Sequence, residues 1–189
     1  MRRLLPALFV LLAFAVPSLA QAPGFGFADK GPIRLDVATI EVVEEYRPPL
    51  KDPNVEHLIP VTPTAAVKLW AQDRLKAVGS QGTARLVIRD ASVVEQPLER
   101  TEGVRGWFTK DQTERYSGKI SVELVVQQPA KGFNGAATAA ASRSTTVRED
   151  VSLAEREKVM LELVRQLATD LDGQLDATIR ANLFPVLVL

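Results

Sequence analysis

Met160, Leu163, Val164, Leu167, Leu171, Leu175, Ile179 and Leu183 recur at steps of three and four, which draws one continuous apolar face along a single helix. Its start is marked by Ser152-Leu153-Ala154-Glu155, a capping-box pattern in which the serine oxygen and the glutamate each satisfy a free amide. Unbroken at Gly173, the helix runs for about 30 residues, or roughly 45 Å, longer than a small domain needs. Its far end and the tail Phe184-Pro185-Val186-Leu187-Val188-Leu189 reach past the core of such a domain. An apolar face of this length must be hidden, and the rest of the chain supplies strands to hide it.

Ile33 to Tyr46 reads as a strand whose apolar phase moves from Ile33, Leu35 and Val37 to Ala38, Ile40 and Val42, the one-residue change that a bulge produces. Five prolines between Arg47 and Pro63 make that stretch an extended loop. Thr62 caps a helix with Pro63 at its first position and a stripe of Val67, Trp70, Ala71, Leu75 and Val78, stopped by Gly79 in the left-handed conformation. Ala84 to Val94 is a second strand, with Leu86 and Ile88 on one side and Val87 and Val93 on the less apolar one. Gln96 to Arg115 is a long connection. Lys119 to Gln127 alternates cleanly through Ile120, Val122, Leu124 and Val126, Pro129 to Gly135 is a turn, and Ala136 to Val147 is a strand of small and β-branched residues.

The resulting order, β-α-β-β-β-α, predicts an α+β fold: a mainly antiparallel four-stranded sheet with both helices on one face and the long helix last. The domain spans 33–189, preceded by a flexible lead-in at 21–32, rich in Gly, Ala and Phe. Whether the second face of the sheet is covered is left open, because Val87, Val93 and Val125 make it less than uniformly polar.

Met1 to Ala20 reads as an export signal: Arg2 and Arg3, an apolar run from Leu4 to Val16, then Ser18-Leu19-Ala20 as a cleavage pattern with Ala20-Gln21-Ala22 as a second option. The expected product is periplasmic or secreted and, after cleavage, not an integral membrane protein. Removing Arg2 and Arg3 from 23 basic residues leaves 21 against 23 acidic ones, a charge of −2 that argues against nucleic acid as a partner. With no cysteine, the chain has no disulfide, no thiolate metal site, no cysteine nucleophile and no site for a lipoprotein acyl chain.

Few residues invite chemistry. His57 is the only histidine and reads as a solvated loop residue. The carboxylate pairs Glu44 and Glu45, Asp170 and Asp172, and Glu155 and Glu157 read as solvent-facing charge, the last also complementing the helix dipole. Gly103-Val104-Arg105-Gly106 lacks the lysine and the strand-helix context of a phosphate loop, and no G-x-S-x-G is present. No catalytic set, metal site or cofactor is expected. The candidates are for binding: Arg105, Trp107 and Phe108 with Lys110, Arg115 and Tyr116, where adjacent aromatics either anchor a partner or fold back as a lid, and the tail with Phe184 and Leu187, to which a further strand, intramolecular packing and docking on a partner are all open.

A leader followed by β-α-β-β-β-α and a final helix opened by Ser152-Leu153-Ala154-Glu155 resembles the small α/β envelope lipoproteins of Gram-negative bacteria, over roughly Ile33 to Leu183. These are the lipopolysaccharide-assembly lipoprotein of the outer membrane and the auxiliary lipoproteins of ABC-type transport systems. The resemblance implies a non-catalytic adaptor or chaperone in lipid or lipopolysaccharide transport, with an envelope protein or lipid as partner. Those families are acylated on a cysteine that this sequence lacks. The alternative function is a small-ligand or lipid carrier with an apolar cleft between sheet and helices.

Overall fold

The computed structural model describes residues 25–98, 112–148 and 150–188. Its elements in chain order are β1 (Ile33–Leu35), β2 (Thr39–Glu44), α1 (Pro63–Arg74), β3 (Leu75–Ala77), β4 (Thr83–Pro97), β5 (Gln112–Gln128), β6 (Phe133–Arg148), α2 (Leu153–Asn182) and β7 (Leu187–Val188). The predicted α+β architecture is present: a four-stranded sheet in the order β2-β4-β5-β6, with α1 and α2 packed together on one face. Pairings β4 to β5 and β5 to β6 are antiparallel, whereas β2 runs parallel to β4 because α1 lies in the crossover between them.

The helix-facing side is built by Ala84, Leu86 and Ile88 of β4, by Ile120, Val122, Leu124 and Val126 of β5, and by Ala137, Ala139 and Ala141 of β6, all buried. A register shift between Ile88 and Asp90 moves Ala91 and Val93 onto the same side, so Val93 belongs to the core and not to the opposite face. Small residues on β5 and β6 seat α2 closely: a Cβ on Gly118 would lie 2.5 Å from Leu167 Cδ1. Side chains fill the space between sheet and helices, with Trp70, Leu86, Leu124, Leu167 and Leu171 fully buried. The opposite face carries the ion pairs Glu41–Arg85, Glu123–Arg89–Glu45 and Asp90–Lys119, with Val87 buried among them.

Near the first helix, three expectations need correction. The phase change after Val37 is not a bulge. There the chain leaves a second, three-stranded sheet, β3-β1-β7, and enters the large one, so the predicted single strand is two. The first helix ends at Arg74 rather than before Gly79, since Leu75–Ala77 pairs in parallel with Ile33–Leu35, and tertiary strand pairing overrides the helical periodicity at Leu75 and Val78. Gly79 is not in the left-handed region; it is needed because a Cβ would lie 2.7 Å from the backbone of Asp36 and Val37. The tail adds the strand β7, which pairs antiparallel with β1.

The lead-in is also structured where it is described. Phe25 and Phe27 are buried with their rings edge to face, and the Phe27 amide donates to Asp73 Oδ2 at 2.8 Å. Asp172, expected to be solvent-facing charge, is buried. Its Oδ1 accepts from Trp70 Nε1 at 2.8 Å and from Arg74 Nε at 2.9 Å, and its Oδ2 meets Lys30 Nζ at 3.0 Å. Arg74 also donates to the carbonyls of Lys30 and Gly31 and to Asp176 Oδ1. Burial opposes the charge on Asp172, but Trp70, Lys30 and Arg74 outweigh it and hold the carboxyl below its ordinary pKa.

Removing one partner of a buried ion pair leaves the other uncompensated, so Asp172→Ala should cost about 3–5 kcal/mol of unfolding free energy in urea titration. A carboxyl whose folded pKa lies below its unfolded one contributes fully above about 3.9 and less as pH falls through the folded value. Stability of the wild-type chain should therefore fall through that acid range, and Asp172→Asn should show a shallower fall in the same titration. Gly79→Ala should cost about 1–3 kcal/mol, because backbone rather than a flexible side chain must move.

Candidate interaction site

The prolines of the 47–63 segment do not leave it loose. Asn54 bridges to Val94, the Val55 amide donates to the Val93 carbonyl at 2.8 Å, and the Glu95 amide donates to the Pro53 carbonyl at 2.8 Å, so this stretch continues the sheet edge beyond β2. The adjoining Glu56 is buried. It accepts from the Val93 amide at 3.1 Å, from the Tyr46 hydroxyl at 2.7 Å and from the Asn54 amide at 3.3 Å. Burial first, and then the bond to Glu56, raise the Tyr46 phenol above its ordinary pKa. A carboxylate satisfied this way anchors the turn Glu56–Leu58 and holds the two residues after it outward on a fixed base.

Leu58 is 62% exposed, and His57 beside it is exposed and makes none of the described side-chain hydrogen bonds. Facing Leu58 is the start of α2. Ser152 Oγ accepts from the Glu155 amide at 3.3 Å while the Ser152 amide donates to Glu155 Oε2 at 2.9 Å, the predicted capping box. That cap fixes Leu153 at the first helical position, where it is 72% exposed.

Between the two leucines, at the end of the sheet where β4 finishes and β5 begins, is a cleft of about 330 Å³ walled by Tyr116, Met160, Arg156, Glu95 and Glu157. Tyr116, one of the binding candidates, is 1% exposed and forms its floor. Its hydroxyl donates to Glu114 Oε2 at 2.9 Å and accepts from Arg156 Nη1 at 2.6 Å; Arg156 also pairs with Glu114. Burial first, and then the Glu95 carboxylate, raise its pKa. The cleft thus has an apolar floor and rim, one arginine already paired, and carboxylates at Glu95 and Glu157.

Of the sequence candidates, Arg105, Trp107 and Phe108 lie outside the described residues, as do Gly103, Gly106 and Lys110. Phe184 is 70% exposed at the far end of α2, and Leu187 is half-buried in β7 opposite Leu35. The structure therefore does not bring the tail to the cleft. Leu58, Leu153 and Met160 were missed, since their role depends on elements distant in sequence; only the apolar residue just inside the Ser152 cap, Leu153, was there to be noticed. Among the described residues, no three His, Asp or Glu side chains are grouped as metal ligands, and no helix is long and apolar enough to cross a membrane.

No family model and no curated protein matches the chain. Among solved structures, it is similar to a minor lipoprotein from Acinetobacter baumannii, with 16% identity, 76% of this chain and 93% of that chain covered, and a TM-score of 0.33. So loose a superposition carries no argument about what this chain does.

Leu58→Ser and Leu153→Ser should each change unfolding free energy by less than about 0.5 kcal/mol, as expected for residues away from any packed contact. Tyr116→Phe, which removes the hydroxyl joining Glu114 to Arg156, should cost about 1–2 kcal/mol. Urea unfolding of the three variants checks both; a large loss for either leucine would make it structural.

Proposed function

We propose that this protein is a non-catalytic adaptor of the bacterial cell envelope, working in the periplasm by docking a partner protein at the Leu58–Leu153 cleft. The observation that carries the reading is two large, exposed leucines held on rigid bases, the Glu56 anchor and the Ser152 cap, on either side of an apolar cleft. Isolated exposed leucines are ordinary on a protein surface, but two facing each other across an apolar floor form the kind of anchor pocket that protein contacts use. The export signal at Met1 to Ala20 supports the compartment. Carboxylates at Glu95 and Glu157 favour a partner segment that carries a basic residue among apolar ones.

A carrier for lipid between sheet and helices is less well supported, because that space is already occupied by Trp70, Leu124, Leu167 and Leu171. The envelope lipid-transport setting remains part of the proposal through the resemblance of element order alone.

A photo-crosslinking residue placed at Leu153 or Leu58 in cells should capture one and the same protein, and the same probe at Lys131, on the opposite end of the sheet, should not. Leu58→Glu combined with a probe at Leu153 should abolish the adduct. Identical capture from Lys131 would sink the docking reading, and lipid co-purifying with the wild type but lost in Leu58→Glu, seen by native mass spectrometry, would replace it with the carrier.

A further inference from the structure

The two edges of the large sheet are unlike. At one, β2 is six residues long, carries Glu41 and Glu44, and gives way to the segment that bridges at Asn54. At the other, β6 is 16 residues long and, among the described residues, pairs only with β5. An open strand edge is a template for another strand, and proteins blunt it with charge, proline, bulges or shortness. From Phe133 to Val147, β6 has no proline, its register with β5 is unbroken, and its one charged residue, Arg143, is already held against Asp170 on α2. Among the described residues, the only side chain bonded to an outward main-chain group of this edge is Asn182, at its Ala136 end.

Alternate residues of β6 turn their amides and carbonyls away from β5. The Val93 amide and carbonyl turn toward Glu56 and Val55, away from β5, so the alternate residues Ser92, Val94 and Gln96 are the ones that bond to Lys119, Ser117 and Arg115. Gly118, Ile120 and Val122 of β5 then bond to Arg143, Ala141 and Ala139 of β6. The amides and carbonyls of Ala136, Thr138, Ala140, Ser142 and Ser144 consequently point outward. Consistent with this, Asn182 Nδ2 reaches the Ala136 carbonyl at 3.5 Å from outside the β5–β6 pair.

We infer that β6 is the seat of a two-fold, antiparallel pairing with β6 of a second copy of this chain, centred on Ala140. This register uses the whole strand and is self-complementary at every step. Ala140 meets its own counterpart, Thr138 meets Ser142, Ala136 meets Ser144, and Phe133 meets Val147. Arg143 falls opposite Ala137, so no like charges face each other. A two-fold through Arg143 itself would oppose two guanidinium groups, and the register avoids it.

A second, independent observation lies on α2 beneath the same edge. Arg143 bonds to Asp170, and Gly173 follows one turn further along α2, exposed, in the interior of a 30-residue helix. Glycine in a helix interior is unfavourable, and here the chain's own fold does not require it: a Cβ at Gly173 would meet nothing within 4 Å. In the paired state the two copies of α2 run antiparallel on one face of the joined sheet, and Gly173, between the Arg143–Asp170 and Ala136–Asn182 contacts, lies near the two-fold, where a residue without a side chain lets them approach.

Because the chain has no cysteine, single cysteines report the register without background. In the paired state, Cα atoms of directly opposed, hydrogen-bonded residues are about 5.5 Å apart, inside disulfide range. Ala140→Cys should form a covalent dimer under mild oxidation, whereas Ala136→Cys, displaced by eight residues from its own copy or roughly 26 Å, should not. Sedimentation equilibrium of the full chain should show a concentration-dependent dimer. Ala140→Lys, which opposes two ammonium groups at the axis, should weaken it by about fivefold or more. Gly173→Leu should weaken it too, while its thermal unfolding at monomeric concentration is unchanged or raised, which separates loss of association from loss of fold. A chain monomeric at every concentration, or cross-linking no faster from Ala140→Cys than from Ala136→Cys, overturns the proposal, as does a heterologous strand captured on β6 in place of a second copy.

Discussion

Asp172 is a charge that the fold has taken out of water, and much of the architecture around it is arranged to make that tolerable. Its oxygens are met by Trp70 and Arg74 from α1 and by Lys30 from the segment ahead of β1. A buried carboxylate is costly unless it is paired and its lone pairs are used, so these three stretches can dock in only one arrangement without leaving it exposed to an apolar core. Arg74 in turn is held by the Lys30 and Gly31 carbonyls and by Asp176. The same arginine is the last residue of α1, and the chain turns from there directly into β3 alongside β1. One ionic knot therefore joins the small sheet, the two helices and the segment ahead of β1.

The large sheet divides its labour between two faces and two edges. Its helix side is a core packed without usable space, and its other side is a lattice of surface ion pairs that each contribute little to stability. Among the described residues, two features stand at its margins: the cleft at the end of the sheet, where Leu58 and Leu153 face each other, and the β6 edge, which pairs with no other strand. The two are separate surfaces. One presents exposed apolar side chains, and the other presents main-chain amides and carbonyls.

Much of this was legible in the residues themselves. The Ser152 cap and the eight apolar positions from Met160 to Leu183 defined α2, and alternation at Ile120 to Val126 defined the central strand, because both signals are short-range: a side chain and its neighbours three, four or two residues away. The candidate cleft was only partly legible. Tyr116 stood among the binding candidates, but that it is the floor of the cleft depends on its hydroxyl finding Glu114 on its own strand and Arg156 forty residues later. Leu58 could not be distinguished from any other apolar residue in a proline-rich loop until the Glu56 carboxylate was seen to be pinned by the Val93 amide.

Local periodicity, capping and composition, then, settled the two helices, the strands β4, β5 and β6, their order and the α+β class. Tertiary structure alone decided where α1 stops, because Leu75 to Ala77 prefer a helix by pattern and a strand by partner, and the partner at Ile33 to Leu35 won. It alone split one strand into two across separate sheets and drew Phe25 and Phe27 into the core. It also made Asp172 a buried ion rather than a surface one. In each case the deciding contact is made by a residue far along the chain, and the free energy of such a contact leaves no trace in the spacing of the residues that make it.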